Sequence, residues 1–348
     1  MPSIVLNALA LRPGGSGVQT YSRELIRGLR AQLPDSVELA ARVQRDAVSE
    51  LPSGVEAVAR PVSKGARRLI EGWRPVHDAD LVHGLDVDLP WRVDAPTVAT
   101  VHDLSVFDVP WAFSRYRAAG ERVAVAKGVR SADALIAVSK FTADAIGNRF
   151  GRAATVIHLA PAPEMQPSTA DERAEVVRRY GLPDRFVLHV GTIEPRKDVA
   201  GLVEACRRLD VLLVLAGALE ADLPEGADVR LLGYVPAADL APLYGSATVV
   251  AYPSRYEGFG LPPIEAMACG AAVVASAVGA LPEVLADDFD LVAPGDLDQL
   301  TEALRAALSD EQQRAKLLRL GREAVERLSW DDTAAATIEV YRQLGVTW

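Results

Sequence analysis

Cysteine is nearly absent: the chain of 348 residues has two, Cys206 and Cys269. Both fall in stretches of helical pattern, and neither has a partner at metal-ligand spacing. This argues against a disulfide scaffold or a cysteine-based zinc site and leads us to expect a reduced, cytoplasmic protein with two buried thiols. Long apolar runs are lacking as well; none reaches the roughly 20 residues that span a bilayer. The chain passes almost at once into Ile4, Val5 and Leu6 with no basic stretch ahead of them. Its start therefore reads as a first β-strand and not as a targeting peptide. Positive charge is scarce, and a net charge of −10 argues against a nucleic-acid partner. The deficit is uneven: residues 1–165 carry 20 Lys+Arg against 18 Asp+Glu, which leaves 17 against 29 for residues 166–348. The first half is thus the less repulsive face for an anionic acceptor or a lipid surface. Lys64, Arg67 and Arg68 beside Trp73 form a candidate peripheral contact with the inner face of a membrane. A solvated helix face is the competing reading of that cluster.

What is present is the composition of an ordinary globular protein, 49% hydrophobic and 24% charged, long enough for two domains. Short apolar runs alternate with helical patterns. In the first half, Ile4–Leu9, Val37–Ala41, Leu81–His83, Thr97–Val101, Ala134–Val138 and Thr155–His158 read as strands. Helices are expected at Val18–Leu33, Ser114–Val129 and, capped by Ser139, Lys140–Arg149. Pro161, Pro163 and Pro167 suit neither a helix nor a central strand, so Ala160–Pro167 reads as an extended linker. Beyond it, strands are expected at Phe186–Val190, Val211–Ala216, Val229–Leu232, Thr248–Tyr252, Ala272–Ala275 and Leu291–Val292. Helices are expected at Val199–Leu209, Ala237–Tyr244 and Pro262–Cys269, with a helical tail at Leu297–Leu308, Glu311–Leu328 and Asp331–Leu344. Continuous apolar strands separated by helices imply parallel sheets covered on both faces. The expected fold class is α/β, with two doubly wound Rossmann-like domains facing across a cleft. Ligands of such sheets bind at the carboxyl ends of the strands, which makes the cleft the default active site.

Three glycine-bearing loops carry phosphate chemistry. The first, Arg12–Val18, holds Gly14, Gly15 and Gly17 ahead of a helix. Free amides at a helix start attract anions, and glycines admit a close ligand. The loop also half-matches a dinucleotide fingerprint, with Thr20 where the third glycine belongs. A nicotinamide-binding dehydrogenase and a purely structural turn therefore stand as alternatives. In the second loop, Gly191 leads to Glu194, Pro195, Arg196, Lys197 and Asp198 after a strand. Arg grips a diphosphate bidentately and Lys adds a compact charge; a solvated Arg-Lys turn is the competing reading. Asp198 is expected to cap the helix that follows. The third loop runs from Glu257 through Gly258, Phe259, Gly260, Leu261, Pro262, Pro263 and Ile264 to Glu265. Gly258 and Gly260 expose amides just before Pro262, which is suited to start a helix. Glu265, expected in the first turn, can accept from two ribose hydroxyls, and Glu257 can meet sugar hydroxyls. The alternative for each glutamate is to complement the helix dipole.

Together these residues resemble the retaining glycosyltransferases of family 4, which have the GT-B fold. The segment Glu257–Glu265, continuing through Ala266, Met267, Ala268 and Cys269 to Gly270, is similar to that family's most specific signature. Gly191–Asp198 resembles its diphosphate loop, and Gly14–Tyr21 its N-terminal glycine loop. Thr100–Leu104, with His102 and Asp103, resembles the histidine motif of its mannosyl- and rhamnosyltransferase-like branch. Leu232–Val235 with Asp239 and Leu240 resembles the loop bordering the nucleobase, and Ser329–Trp330 the entry to the last helix. The resemblance implies an N-terminal acceptor domain (residues 1–163), a C-terminal donor domain (residues 164–330), and a C-terminal helix (residues 331–348) packing back on the first domain. It implies that Arg196 and Lys197 hold the donor diphosphate, with Gly191 in their loop and Gly15 and Gly17 facing the phosphates. Glu265 then binds ribose and Val235 meets the base. Glu257 and the backbone of Gly258, Phe259, Gly260 and Leu261 bind the donor sugar. His102 lies near sugar and acceptor with Asp103 beside it, although a lone histidine at a strand end is more often structural.

The expected donor is GDP-mannose, with dTDP-rhamnose or a UDP-hexose next. The acceptor is a hydroxyl of a glycan, glycolipid or natural product. Retention is expected through front-face transfer, with a double displacement as the other geometry. No cofactor and no metal is expected. Asp78 and Asp80, Asp86 and Asp88, and Asp296 and Asp298 mimic the acidic metal motif of the other large glycosyltransferase fold, but Arg196 and Lys197 already supply positive charge. A nucleotide-sugar epimerase of the same fold and a non-catalytic sugar-nucleotide-binding protein are the alternatives.

Overall fold

A computed structural model describes residues 1–14, 17–220, 222–224 and 228–348, with the side chains of residues 66 and 115–117 left aside. The chain divides into two compact units, Met1–Leu159 with Ser329–Trp348, and Ala160–Leu328.

The first unit holds strands β1 (Ser3–Asn7), β2 (Glu38–Gln44), β3 (Glu56–Arg60), β4 (Leu81–Gly84), β5 (Thr97–Val101), β6 (Ala134–Ala137) and β7 (Thr155–Val156). They pair in parallel in the order β3-β2-β1-β4-β5-β6-β7. The central runs are buried along their length because helices cover both faces. β3 is not anticipated from the sequence: its Glu-Ala-Val-Ala-Arg run lies at the sheet edge, half wet, and lacks an apolar signal. The helix Ala66–Gly72 is too short to show a period. The C-terminal helix Trp330–Gln343, capped by Ser329, belongs to this unit and packs on Val18–Gln32. The two approach so closely that a Cβ on Gly28 would lie 2.8 Å from that of Ala334.

The second unit holds β8 (Val187–Val190), β9 (Leu213–Ala216), β10 (Val229–Gly233), β11 (Val249–Tyr252) and β12 (Val273–Ala275), parallel in the order β10-β9-β8-β11-β12. In each sheet the strand order reverses beside the unit's first strand, next to β4 in one and β11 in the other. Ligands of open parallel sheets bind outside the carboxyl ends of the strands at such a reversal. The expected strand Leu291–Val292 does not form. Val292 makes only a bridge to Ser276, since two residues cannot sustain a ladder. The helix Ala170–Tyr180, closed by a Thr169–Glu172 capping box, is a further element not anticipated.

Candidate active site

In the second unit β8 and β11 are neighbours, so the loops after them meet. β8 ends at Val190, and Gly191 and then the tight turn Pro195–Lys197 follow. Arg255, just past β11, ties the loops by donating its backbone N–H to the Arg196 carbonyl at 2.8 Å. Its guanidinium lies 3.0 Å from Asp198. Asp198 is therefore an ion-pair partner and makes no side-chain cap, contrary to expectation.

Lys197, Arg196 and Glu257 converge there. Lys197 Nζ donates to Glu257 Oε1 at 2.5 Å, and Arg196 Nη1 to Oε2 at 3.2 Å. Ser254 Oγ donates to Oε1 at 2.7 Å, and Arg196 Nη2 lies 2.8 Å from Glu194 Oε1. Lys197 and Glu257 are both buried. Burial alone would raise the Glu257 carboxyl, but Lys197, Arg196 and the Ser254 hydroxyl outweigh it and bring it down to about 2. A fixed carboxylate thus orients two cations at the carboxyl edge of the sheet.

The same loop continues through Gly258 and Phe259 to Gly260. At φ 91°, Gly260 occupies the left-handed region that a side chain resists, and it opens the helix Leu261–Ala268. Pro262 falls in the first turn, as its fixed φ favours. Glu265 is the fifth residue of this helix, one residue past the first turn in which it was expected, and the first turn holds no acidic residue. Its carboxylate is buried, accepts no hydrogen bond from the described residues, and is pushed up to about 7, first by burial and then by Glu164. Val235 is buried just beyond β10, on the same edge.

In the first unit, His102 follows β5. Its Nε2 donates to the Leu85 carbonyl at 2.8 Å, which leaves Nδ1 facing elsewhere. Asp103 Oδ1 accepts from the Ser105 amide at 2.8 Å and the Ser105 hydroxyl at 2.5 Å, a local turn just ahead of the short helix Ser105–Asp108. Gly17 stands before the helix Val18–Gln32 at φ 63°. Gly15 lies outside the described residues. Asp86 and Asp88 lie 3.6 and 3.0 Å from Arg68, which accounts for that Asp-Val-Asp spacing by an ion pair.

Residues that sequence reasoning passed over complete these sites. Ser254 lies in the motif's own approach, but a serine there carries no signal. A Cβ on Gly279 would lie 2.9 Å from the Glu257 carbonyl, so only glycine lets that later loop close on Glu257. Tyr21 sets its ring edge-on to His102, with centroids 4.8 Å apart.

The family models "Glycosyltransferase Family 4" and "Glycosyl transferases group 1" match residues 15–162 and 173–324 respectively. The O-antigen chain mannosyltransferase B of Escherichia coli is 33% identical over 285 residues, 76% of this chain and 74% of that one. The chain belongs to the family 4 glycosyltransferases. A D-inositol 3-phosphate glycosyltransferase of Xylanimonas cellulosilytica is 34% identical over 337 residues, 85% of this glycosyltransferase and 78% of that protein. Among solved structures, sucrose-phosphate synthase from Thermosynechococcus elongatus has a TM-score of 0.76 at 23% identity and covers 99% of each chain. Anabaena HepE in complex with UDP-glucose has a TM-score of 0.76 at 21% identity, over 98% of this chain and 99% of that one. The glycosyltransferase has the GT-B fold.

Proposed function

We propose that this glycosyltransferase moves a hexose, with retention, from a nucleotide-diphosphate sugar to a hydroxyl of a glycan, glycolipid or natural product. The observation that carries this reading is the Arg196–Lys197 pair held by Glu257 beside the free carboxylate of Glu265, two features suited to a diphosphate and a ribose. Gly191, Gly258, Phe259, Gly260, Leu261 and Val235 share that carboxyl edge and line the donor, while Gly15 and Gly17 serve its phosphates. The second unit then takes the donor and the first the acceptor. GDP-mannose is the first choice, supported by the Escherichia coli mannosyltransferase; dTDP-rhamnose and UDP-hexoses come next.

Transfer follows the front-face route. Arg196 and Lys197 neutralise the charge that builds on the diphosphate as the glycosidic bond breaks, and the leaving phosphate takes the acceptor's proton. His102, through Nδ1, orients a sugar or acceptor hydroxyl. No metal is needed for a leaving group already met by two cations, so turnover should survive chelation. A thermal-shift panel of GDP-, dTDP- and UDP-sugars tests the donor, since ligand at ~100 times its dissociation constant adds about 2.7 kcal/mol. A panel in which no nucleotide sugar raises the melting temperature would overturn the reading.

We also assign the first unit a peripheral contact with the inner membrane face. No helix among the described residues is long and apolar enough to cross a membrane. The surface that supports contact differs from the one the sequence suggested, because Arg68 is occupied by Asp86 and Asp88. Trp73 and Trp91 flank Lys127, whose Nζ is 4.8 and 5.1 Å from their rings. Ile70 (57% exposed), Trp91 (67%) and Val123 (63%) point outward nearby. Co-sedimentation with phosphatidylglycerol vesicles, weakened by Trp91→Ala, is the expected result.

A further inference from the structure

A buried chain of hydrogen bonds runs from the C-terminal helix to the neighbourhood of His102. Tyr341 Oη lies 2.7 Å from His83 Nδ1, His83 Nε2 lies 2.9 Å from Thr100 Oγ1, and Thr100 Oγ1 lies 2.7 Å from Tyr21 Oη. All four side chains are at most 1% exposed. Burial, aided by His102, brings the His83 imidazole down to about 3, so it stays neutral with one N–H. One ring nitrogen then donates and the other accepts, and the hydroxyls on either side must orient as a set. Burial also raises Tyr21 and Tyr341, which keep their protons.

The chain ends on Tyr21, whose ring meets His102 edge-on at 4.8 Å and 80°. Trp330, at the other end of the C-terminal helix, lies 6.3 Å from the same tyrosine ring. Both ends of that helix therefore bear on Tyr21. Among the described residues, the His102 imidazole is held by the Leu85 carbonyl at Nε2 and by the Tyr21 ring. The carbonyl sets which nitrogen carries the proton, and the ring limits how the imidazole can turn about that bond.

We propose that Tyr21 is a positioning residue for His102, and that the C-terminal helix holds Tyr21 through Tyr341, His83 and Thr100. The consequence for turnover rests on the reading that His102 acts on substrate; the positional coupling does not. A misplacement of about 1 Å costs on the order of a hundredfold in rate. Tyr341→Phe and the isosteric Thr100→Val each cut the chain while keeping its volume.

The test uses 15N-labelled protein, with the His102 imidazole resonances assigned by His102→Gln. It is paired with steady-state kinetics on the donor that the thermal-shift panel selects. Tyr341→Phe and Thr100→Val should move the His102 resonances and lower kcat roughly tenfold, with the donor KM within about twofold. Tyr21→Leu, which removes the ring, should lower kcat roughly a hundredfold. Tyr21→Phe, which keeps the ring, should fall between. Unmoved His102 resonances overturn the proposal whatever the kinetics. Unchanged kcat with only a lowered melting temperature, in a protein that His102→Gln inactivates, reduces the chain to a structural role and also overturns it. A fully active His102→Gln variant would remove His102 from the reaction, while the resonances would still decide the coupling.

Discussion

Lys197 Nζ sits 2.5 Å from Oε1 of Glu257, 60 residues further along the chain. The carboxylate that the sequence suggested for sugar hydroxyls is already engaged by the cations assigned to the diphosphate. Glu257 thus acts first on Lys197 and Arg196, holding them at a sheet edge where unpartnered cations would repel each other.

On the proposed reading, Lys197→Ala removes a positive charge that meets the leaving diphosphate. Turnover should fall roughly a hundredfold to a thousandfold, the usual effect of deleting one electrostatic contact to a developing charge. Glu257 loses a partner as well, so the melting temperature should drop while unfolding stays cooperative. Single-turnover kinetics and calorimetry on the same preparation separate the two effects. Unchanged turnover would remove Lys197 from the diphosphate site.

Glu257 also makes stability depend on pH. Its folded carboxyl titrates at about 2, below the ordinary 4.5. The stabilisation is complete above 4.5 and is lost as pH falls through about 2, on the order of 3 kcal/mol in all. Urea unfolding should show a large gap between wild type and Glu257→Gln near neutral pH and a shrinking one towards pH 2. A gap that stays constant would mean the ion pairs contribute nothing to the fold.

Glu265 behaves in the opposite sense. Its carboxyl is raised to about 7, so its contribution to stability is complete below the ordinary 4.5 and is lost as pH rises through about 7. The ionised form accepts two hydroxyl hydrogens, whereas the protonated form has one oxygen committed as a donor. Donor KM should therefore fall several-fold from about pH 6 to about pH 8. The same titration on Glu265→Gln should be flat. An identical slope in the variant would assign the pH dependence to another group.

Asp103 discriminates between the proposed front-face transfer and a double displacement. Its Oδ1 is committed to Ser105, and the amide oxygen of asparagine can accept the same two bonds. Under front-face transfer, Asp103→Asn should lower turnover less than about tenfold and leave the melting temperature nearly unchanged. A collapse of turnover, with a glycosyl adduct on Asp103 trapped in the wild type, would favour double displacement.

Much of the architecture was legible along the chain. The alternation of apolar runs and helical patterns implied parallel α/β sheets, because burial on both faces forces a continuous apolar run in each central strand, and the helix Val199–Leu209, with one buried face, lies where expected. β3, the short helix Ala66–Gly72 and the absent Leu291–Val292 strand escaped, since edge positions and very short elements carry too little periodicity.

The candidate site divides the same way. Residue types at short spacing, Arg196 beside Lys197 and the glycines around Phe259, are properties of the sequence, because a tight loop and an adjacent pair of cations are set by neighbours in the chain. What those groups touch was decided by the tertiary structure. The pairing of β8 with β11 brings Lys197 to Glu257, and the packing around its helix leaves the Glu265 carboxylate buried with no hydrogen-bond donor among the described residues. The packing of the last helix places Tyr341 behind His83. Burial and strand order, which act between residues distant along the chain, set charge state and partners, and no local pattern encodes them.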